Sequence, residues 1–149
     1  MNDETKNLAF YLHPDNDPTV YRQEIDLVIL QAIEQTITQL MGAYHVYYNA
    51  FKSKDDDNLY QATSQMDRLK SALDNWFSLV SEPYQEDITK LKELVIAKIK
   101  LLRKALAPVH EPDDTLNYNR SKADTDQFIN QLRRHITDDL FDAHKNNAQ

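Results

Sequence analysis

The sequence predicts an all-α fold, an antiparallel up-and-down four-helix bundle with a long first helix, from three observations. Apolar residues recur at steps of three and four over long stretches, which is typical of helices packed lengthwise on other helices. The 149 residues include a single glycine, Gly42, whereas a sheet protein of this size would need many glycine-marked turns. The five prolines all lie outside the periodic stretches. We divide the chain into a polar lead-in, a bundle domain and a polar tail, at residues 1–17, 18–145 and 146–149.

The first helix is predicted to begin at Pro18 and to run to about Lys52. Asp17 offers a capping carboxylate, and the proline after it lies in the first turn, where its missing N–H is harmless. The apolar line of this helix is Ile33, Ile37, Leu40, Tyr44, Tyr47 and Phe51. At about 1.5 Å per residue the helix is near 50 Å long, against roughly 35 Å for the others. We predict that it is the longest and most central helix, and that it either breaks near Gly42 or projects its aromatic C-terminal end beyond the bundle.

The second helix carries the most regular apolar line in the chain, between Asn58 and Ser81. Its members are Leu59, Ala62, Met66, Leu69, Leu73, Trp76 and Val80. Before it, the run Asp55-Asp56-Asp57 supplies a capping carboxylate and places negative charge at the positive end of the helix dipole. These features predict a helix that packs lengthwise and begins within the aspartate run.

The third helix is predicted over about Glu82 to Leu106. Ser81 offers a cap, and Pro83 lies in the first turn. Its core line is Ile88, Leu91, Val95, Ile99, Leu102 and Leu106. The connection to the second helix is so short that we expect these two helices to be antiparallel and adjacent.

The fourth helix is predicted to follow the longest internal break, at residues 107–115, which contains Pro108 and Pro112. Ser121 with Asp124 three residues later resembles a capping box, with Asp in the place of the usual Glu or Gln. The apolar line is Phe128, Leu132, Ile136, Leu140 and Ala143. We therefore expect the helix to begin near Ser121.

The composition narrows the environment and the partners that we expect. The chain has no cysteine, so it has no disulfide framework, thiol nucleophile or thiolate metal site. No stretch approaches the roughly 18 uncharged apolar residues of a membrane span, and the N-terminus lacks the apolar core of a signal peptide. The net charge of -7 disfavours nonspecific binding to nucleic acid, because phosphates would be repelled. We expect a soluble cytoplasmic protein with no membrane and no direct nucleic-acid partner.

No motif in the chain predicts catalysis, a cofactor or a metal site. A Gly-x-Ser-x-Gly turn, a phosphate-binding glycine loop and the Glu-x-x-His pair of di-metal bundles are absent from the sequence. His135 and Asp139 share a helix face, but two ligands do not make a metal site. Buried carboxylates could act as acids or bases, and Glu24, Asp26 and Glu34 are the candidates in the apolar first helix; we interpret them as ion-paired or exposed. We therefore predict that the protein is not an enzyme and takes no cofactor.

A basic face on the third helix is the clearest charge pattern in the chain. It comprises Lys90, Lys92, Lys100, Arg103 and Lys104, which fall opposite the apolar line. Such a face could bind an acidic partner or phosphate. We interpret it as a solvated surface, which is the usual role of charged residues along a helix.

An aromatic cluster near the end of the first helix is the predicted interaction site. It consists of Tyr44, Tyr47, Tyr48 and Phe51. Tyrosine combines a large apolar area with a polar tip and suits interfaces, although aromatic residues at helical spacing also fill cores. The sequence predicts a small non-enzymatic protein–protein interaction module, which associates with itself through the first helix as a homo-oligomer, expected to be a dimer.

Two other functions remain open at the level of the sequence. The first is an acidic inhibitor or immunity-type protein that blocks a basic site on a nuclease or another DNA-binding protein. Its acidic surface would be Asp55, Asp56, Asp57, Asp113, Asp114, Asp138, Asp139 and Asp142. The second is a helical bundle that binds a metal or a small ligand in its interior.

Overall fold

A computed structural model describes residues 18–147 of the chain as four α-helices and one short 3₁₀ turn. In chain order these are α1 (Pro18–Ser53), α2 (Asp56–Leu79), the 3₁₀ turn (Glu82–Tyr84), α3 (Gln85–Leu106) and α4 (Pro112–Asn147). Consecutive helices run antiparallel, which confirms the predicted bundle with a long first helix. The lead-in at residues 1–17, with the expected cap Asp17, lies outside the described residues, and α4 continues two residues into the predicted tail.

Helix α1 is the central element, because it packs on each of the other three helices. Its apolar line faces the core: Ile33 and Leu40 are fully buried, and Ile37 and Tyr44 are nearly so. The lines predicted for α2, α3 and α4 also point inward. Their most buried members are Ala62, Leu73, Val80, Ile88, Leu91, Leu102, Leu132 and Ile136. Phe77 of α2, which is outside the predicted line, is also buried. None of the helices in the described part of the chain has a segment long and apolar enough to cross a membrane.

The C-terminal end of α1 does not project from the bundle, contrary to one of the two predicted alternatives, and α1 does not break at Gly42. Near that end, Arg103 of α3 reaches the hydroxyl of Tyr48. The overhang is at the other end. The carboxylate of Asp26 accepts a hydrogen bond from Ser81 at the α2–α3 junction, so residues 18–25 extend beyond that junction by about 12 Å. The end of α4 lies beside them, with His144 Nε2 3.6 Å from Glu24 Oε1.

The prediction for the start of the fourth helix was wrong, because α4 begins at Pro112 and is 36 residues long, as long as α1. The first helix is therefore not the single longest one. The backbone N–H of Glu111 donates to Asp114 Oδ2 at 2.8 Å, which is half of a capping box, and Pro112 occupies the first turn. Ser121 lies inside the helix, where its carbonyl accepts a bond from Thr125 Oγ1.

The α2–α3 connection departs from prediction in two ways. Glu82–Tyr84 forms a 3₁₀ turn, so α3 begins at Gln85, and the side chain of Ser81 makes no capping bond. The two helices are antiparallel, but their backbones scarcely approach each other. Helix α3 packs on α4 and α1 instead. The expected adjacency of α2 and α3 is therefore replaced by an open seam between them.

Candidate functional site

The open seam forms a groove, which we call the α2–α3 groove, with a volume of about 360 Å³. Helix α1 forms its floor and α2 and α3 form its walls. The lining residues are Leu40, Tyr44, Lys70, Leu73, Asp74, Phe77, Lys92, Val95, Ile96, Ile99 and Arg103. The volume falls in the range of ordinary ligand pockets, and the groove is open to solvent along one side.

The floor of the groove is apolar because it is built from core positions of three helices. Leu40 and Tyr44 are one turn apart on α1, and Leu73 and Phe77 are one turn apart on α2, so each pair projects from one helix face. All four side chains are buried. Ile96 of α3 stands at the rim and is 65 % exposed, although it is a large apolar residue. The floor is therefore a buried part of the core, and the exposed apolar surface of the groove lies at its rim, on Ile96.

Basic side chains cover this floor from both walls. Lys70 of α2 places its Nζ atom over the ring of Tyr44, 5.5 Å from the centroid. Lys92 of α3 places its Nζ atom over the ring of Phe77, 5.6 Å from the centroid. An ammonium over an aromatic face is held by the quadrupole of the ring, while the aliphatic stem covers apolar surface. The two ammonium groups thus lie above the floor, at the boundary between the groove and solvent.

Arg103 lies at the end of the groove that is nearest the C-terminus of α3, and it joins the groove to the aromatic cluster. Its Nε–H donates to the hydroxyl of Tyr48 at 3.3 Å, and this bond raises the pKa of the guanidinium above its usual value. Asp74 is the one acidic residue among those that line the groove, against three basic ones. The local charge is therefore positive on a protein whose net charge is -7.

The four residues of the predicted interaction site lie in three different environments. Tyr44 is only 2 % exposed and belongs to the groove floor. Tyr47 and Tyr48 are half-buried, and their rings meet edge to face with centroids 5.2 Å apart. Phe51 is 53 % exposed near the end of α1. The structure thus brings Tyr44 and Tyr48 to the groove and leaves Phe51 as the accessible member of the cluster.

Sequence reasoning found part of the basic rim and missed the rest. Lys92 and Arg103 belong to the predicted basic face of α3, whose other members do not line the groove. Lys70 and the rim position of Ile96 were not singled out, because nothing in the periodicity of either helix shows that they diverge. Lys98, a further basic residue of α3, is buried, and burial lowers the pKa of its amine.

Polar residues at the α2–α3 junction form hydrogen bonds between the helices. Asp26 is 1 % exposed and accepts a bond from the Ser81 N–H at 2.9 Å; burial raises the pKa of its carboxyl group. The hydroxyl of Tyr84 donates to Asp139 Oδ2 at 2.6 Å, and burial raises the pKa of Tyr84 well above its ordinary value. These bonds tie α1 and α4 to the turn between α2 and α3.

The other carboxylates considered for acid–base chemistry or metal binding have basic side chains as partners within the bundle. Glu34 pairs with Arg133 at 3.1 Å across α1 and α4. His135 Nε2 lies 3.5 Å from Asp139 Oδ2 on the same helix face. Within the described residues, no group of three or more His, Asp or Glu side chains converges in a way that could hold a metal ion.

The fold and the groove define a class of molecule, an all-helical bundle whose second and third helices do not pack closely on each other. Comparisons of the chain with protein-family models, with curated proteins and with solved structures found no match.

Proposed function

We propose that this protein is a non-enzymatic interaction module that binds another protein through the α2–α3 groove. The observation that carries the proposal is the open seam itself. Most helix pairs of a bundle close their seams by packing side chains of one helix between those of the next. Here α2 and α3 leave Ile96 exposed beside a floor of core residues, and an accessible apolar surface rimmed by polar groups is typical of interaction sites.

The aromatic cluster belongs to the same proposal, as an extension of the groove along α1. Tyr48 is linked to the groove by its hydrogen bond to Arg103, and Phe51 lies one turn beyond Tyr47. Phe51 is 53 % exposed. We propose that α1 contributes this surface to self-association, with Phe51 as its accessible apolar residue.

Native mass spectrometry and sedimentation velocity of the untagged full chain test the proposed self-association. We expect an assembly at a multiple of the bare polypeptide mass. Phe51→Glu and Ile96→Glu place a charge on the α1 surface and on the groove rim, respectively. We expect Phe51→Glu to yield a folded monomer and Ile96→Glu to leave the assembly intact. Phe141→Glu is the matched control, because Phe141 is 66 % exposed on α4, near the end of the bundle opposite to Phe51.

The outcomes separate the parts of the proposal. A monomeric wild-type protein at all concentrations would contradict self-association. An assembly that survives Phe51→Glu would contradict the proposed α1 surface, and one that dissociates with Ile96→Glu would place the second copy on the groove. An added mass from a metal or small molecule would favour a ligand-binding function instead. Circular dichroism of each variant verifies that the helices remain folded.

A further inference from the structure

We infer that the partner of the α2–α3 groove is an amphipathic helix with acidic residues on both sides of its apolar stripe. This inference rests on the proposed function and adds the chemistry of the partner to it. Three features of the groove support it: its length and walls, the sign and placement of its charges, and the apolar residue left on its rim.

The length and the walls of the groove favour a helix over an extended peptide. The residues from Lys92 to Arg103 on α3 span about 16 Å, which corresponds to about three turns of a bound helix. Both walls are helices, whose backbone N–H and C=O groups are already bonded within each helix. An extended peptide would therefore find no sheet edge to pair with, whereas a helix needs only side-chain packing.

The charges predict acidic flanks on that helix. Lys70 stands on the α2 wall, and Lys92 and Arg103 stand on the α3 wall, so cations line both sides of the apolar floor. Asp74, one turn from Lys70, is the single opposing charge among the lining residues. A helix with carboxylates on both sides of its stripe meets basic residues on both walls.

The apolar stripe would take the place of the lysine side chains over the floor. The Nζ atoms of Lys70 and Lys92 now lie over the rings of Tyr44 and Phe77. An incoming apolar side chain can pack on these rings if the two ammonium groups swing outward, and carboxylates at the rim compensate for the lost cation–π contacts. Ile96 then becomes part of a buried contact.

The charge pattern also disfavours two other occupants. A second α2–α3 groove placed face to face would oppose like charges, so a symmetric groove-to-groove contact is unfavourable. A nucleic acid would bring phosphates against the wider surface of a protein with a net charge of -7. A short acidic helix confines its charges to the basic groove, whereas a nucleic acid extends its phosphates beyond it.

Three model peptides of about 14 residues, stapled to hold the helical form, test the inference. They share one Leu stripe and carry Glu, Gln or Lys at all flanking positions. Binding to the ¹⁵N-labelled full chain is followed by chemical-shift changes and by calorimetry. We expect the Glu peptide to shift resonances of Tyr44, Val95 and Ile96, to bind at least tenfold more tightly than the Gln peptide, and to weaken with added salt.

Charge reversals at the rim provide the matched variants. Lys92→Glu should weaken the Glu peptide about three- to tenfold, because it turns one attractive contact into a repulsive one. Lys90→Glu makes the same charge change at an exposed position of α3 outside the groove and should leave the affinity unchanged. Lys70→Glu, with Arg68→Glu as its control, tests the α2 wall in the same way. The Lys70→Glu, Lys92→Glu double variant should prefer the Lys peptide.

The possible failures are distinguishable. Equal binding of the three peptides at the groove would overturn the acidic specificity and leave the groove as a binding site. No shift at the groove with any peptide would contradict both the inference and the proposed function. Groove shifts that depend on protein concentration alone would identify a second copy as the occupant, and saturation by decanoate without peptide binding would identify a small anionic amphiphile. Either result would overturn the inferred partner.

Discussion

Asp26 is the residue whose environment departs most from the ordinary behaviour of its type. Its carboxylate is 1 % exposed, and its Oδ2 atom has no hydrogen-bond partner among the described residues. The Oε1 atom of Gln23, three residues earlier on the same face of α1, is likewise buried without a donor. A proton on Asp26 would remove the buried charge and turn one of these acceptors into a donor, which agrees with the raised pKa that burial gives this group.

We expect the stability of the protein to depend on pH through Asp26. Because its folded pKa lies above the unfolded value of 3.8, the folded state holds the proton more tightly, and stability falls as pH rises from that value through the folded pKa. Asp26→Asn keeps an acceptor for the Ser81 N–H and removes the buried charge. The gain in unfolding free energy of Asp26→Asn over wild type should therefore increase with pH and level off above the folded pKa, as measured by urea unfolding at a series of pH values.

Asp26→Ala is the control for the hydrogen bond itself. It leaves the Ser81 N–H without its acceptor and should be about 1–3 kcal/mol less stable than Asp26→Asn at every pH in the series. A stability difference between Asp26→Asn and wild type that does not change with pH would show that Asp26 titrates alike in the folded and unfolded chain.

At the scale of the helices, the capping residues determined how well the start of each helix could be predicted from the sequence. The aspartate run before α2 was assigned correctly, since Asp55 Oδ1 accepts the Asn58 N–H at 3.2 Å and caps the helix. The start of α4 was missed although its signal is present. Pro112 and two acidic residues form the first turn, but a second proline nearby favoured a loop, and Ser121 with Asp124 offered a competing cap.

The continuity of α1 through Gly42 has a measurable cost in stability. Gly42 is exposed in mid-helix, and a Cβ atom built on it meets nothing within 4 Å. Gly42→Ala should raise the free energy of unfolding by about 0.5–1 kcal/mol, because alanine loses less backbone entropy on folding and has the higher helix propensity. Urea unfolding measures the change, and an unaltered m-value would show that the folded and unfolded states keep their compactness.

Gln35→Ala, another exposed position of α1, serves as the comparison and should change stability by less than about 0.5 kcal/mol. A destabilised Gly42→Ala protein would mean that the missing side chain is required, for instance by a closer approach of the neighbouring α2 in solution. Among the residues around Gly42, Ala43 and Ala62 are both buried and small.

At the scale of the whole molecule, the helix count and the core lines follow from periodicity, but the groove does not. Periodicity shows which face of each helix is apolar; it carries no information on the angle between two helices. The divergence of α2 and α3 depends on how α1 and α4 share the packing of α3. The aromatic cluster illustrates the same limit, because equal spacing placed Tyr44 in the core and Phe51 in solvent.

The open seam makes α2 the least supported helix, since within the described bundle it packs closely on α1 alone. We expect buried amides of α2 to exchange with deuterium faster than those of α3, a helix of similar length that packs on both α1 and α4. Hydrogen-exchange mass spectrometry of the full chain measures this, with α3 as the internal reference. Uniform protection of α2 and α3 would show that the bundle opens as one unit.

The position of the single tryptophan gives this architecture an optical consequence. Trp76 is half-buried on α2 and packs against the core beside Phe77. Its emission therefore reports the environment of one helix, while the circular dichroism signal sums over all of them. Trp76 is therefore an intrinsic fluorescent probe on α2, one of the two helices that form the walls of the groove. Its emission wavelength depends on the polarity around that helix.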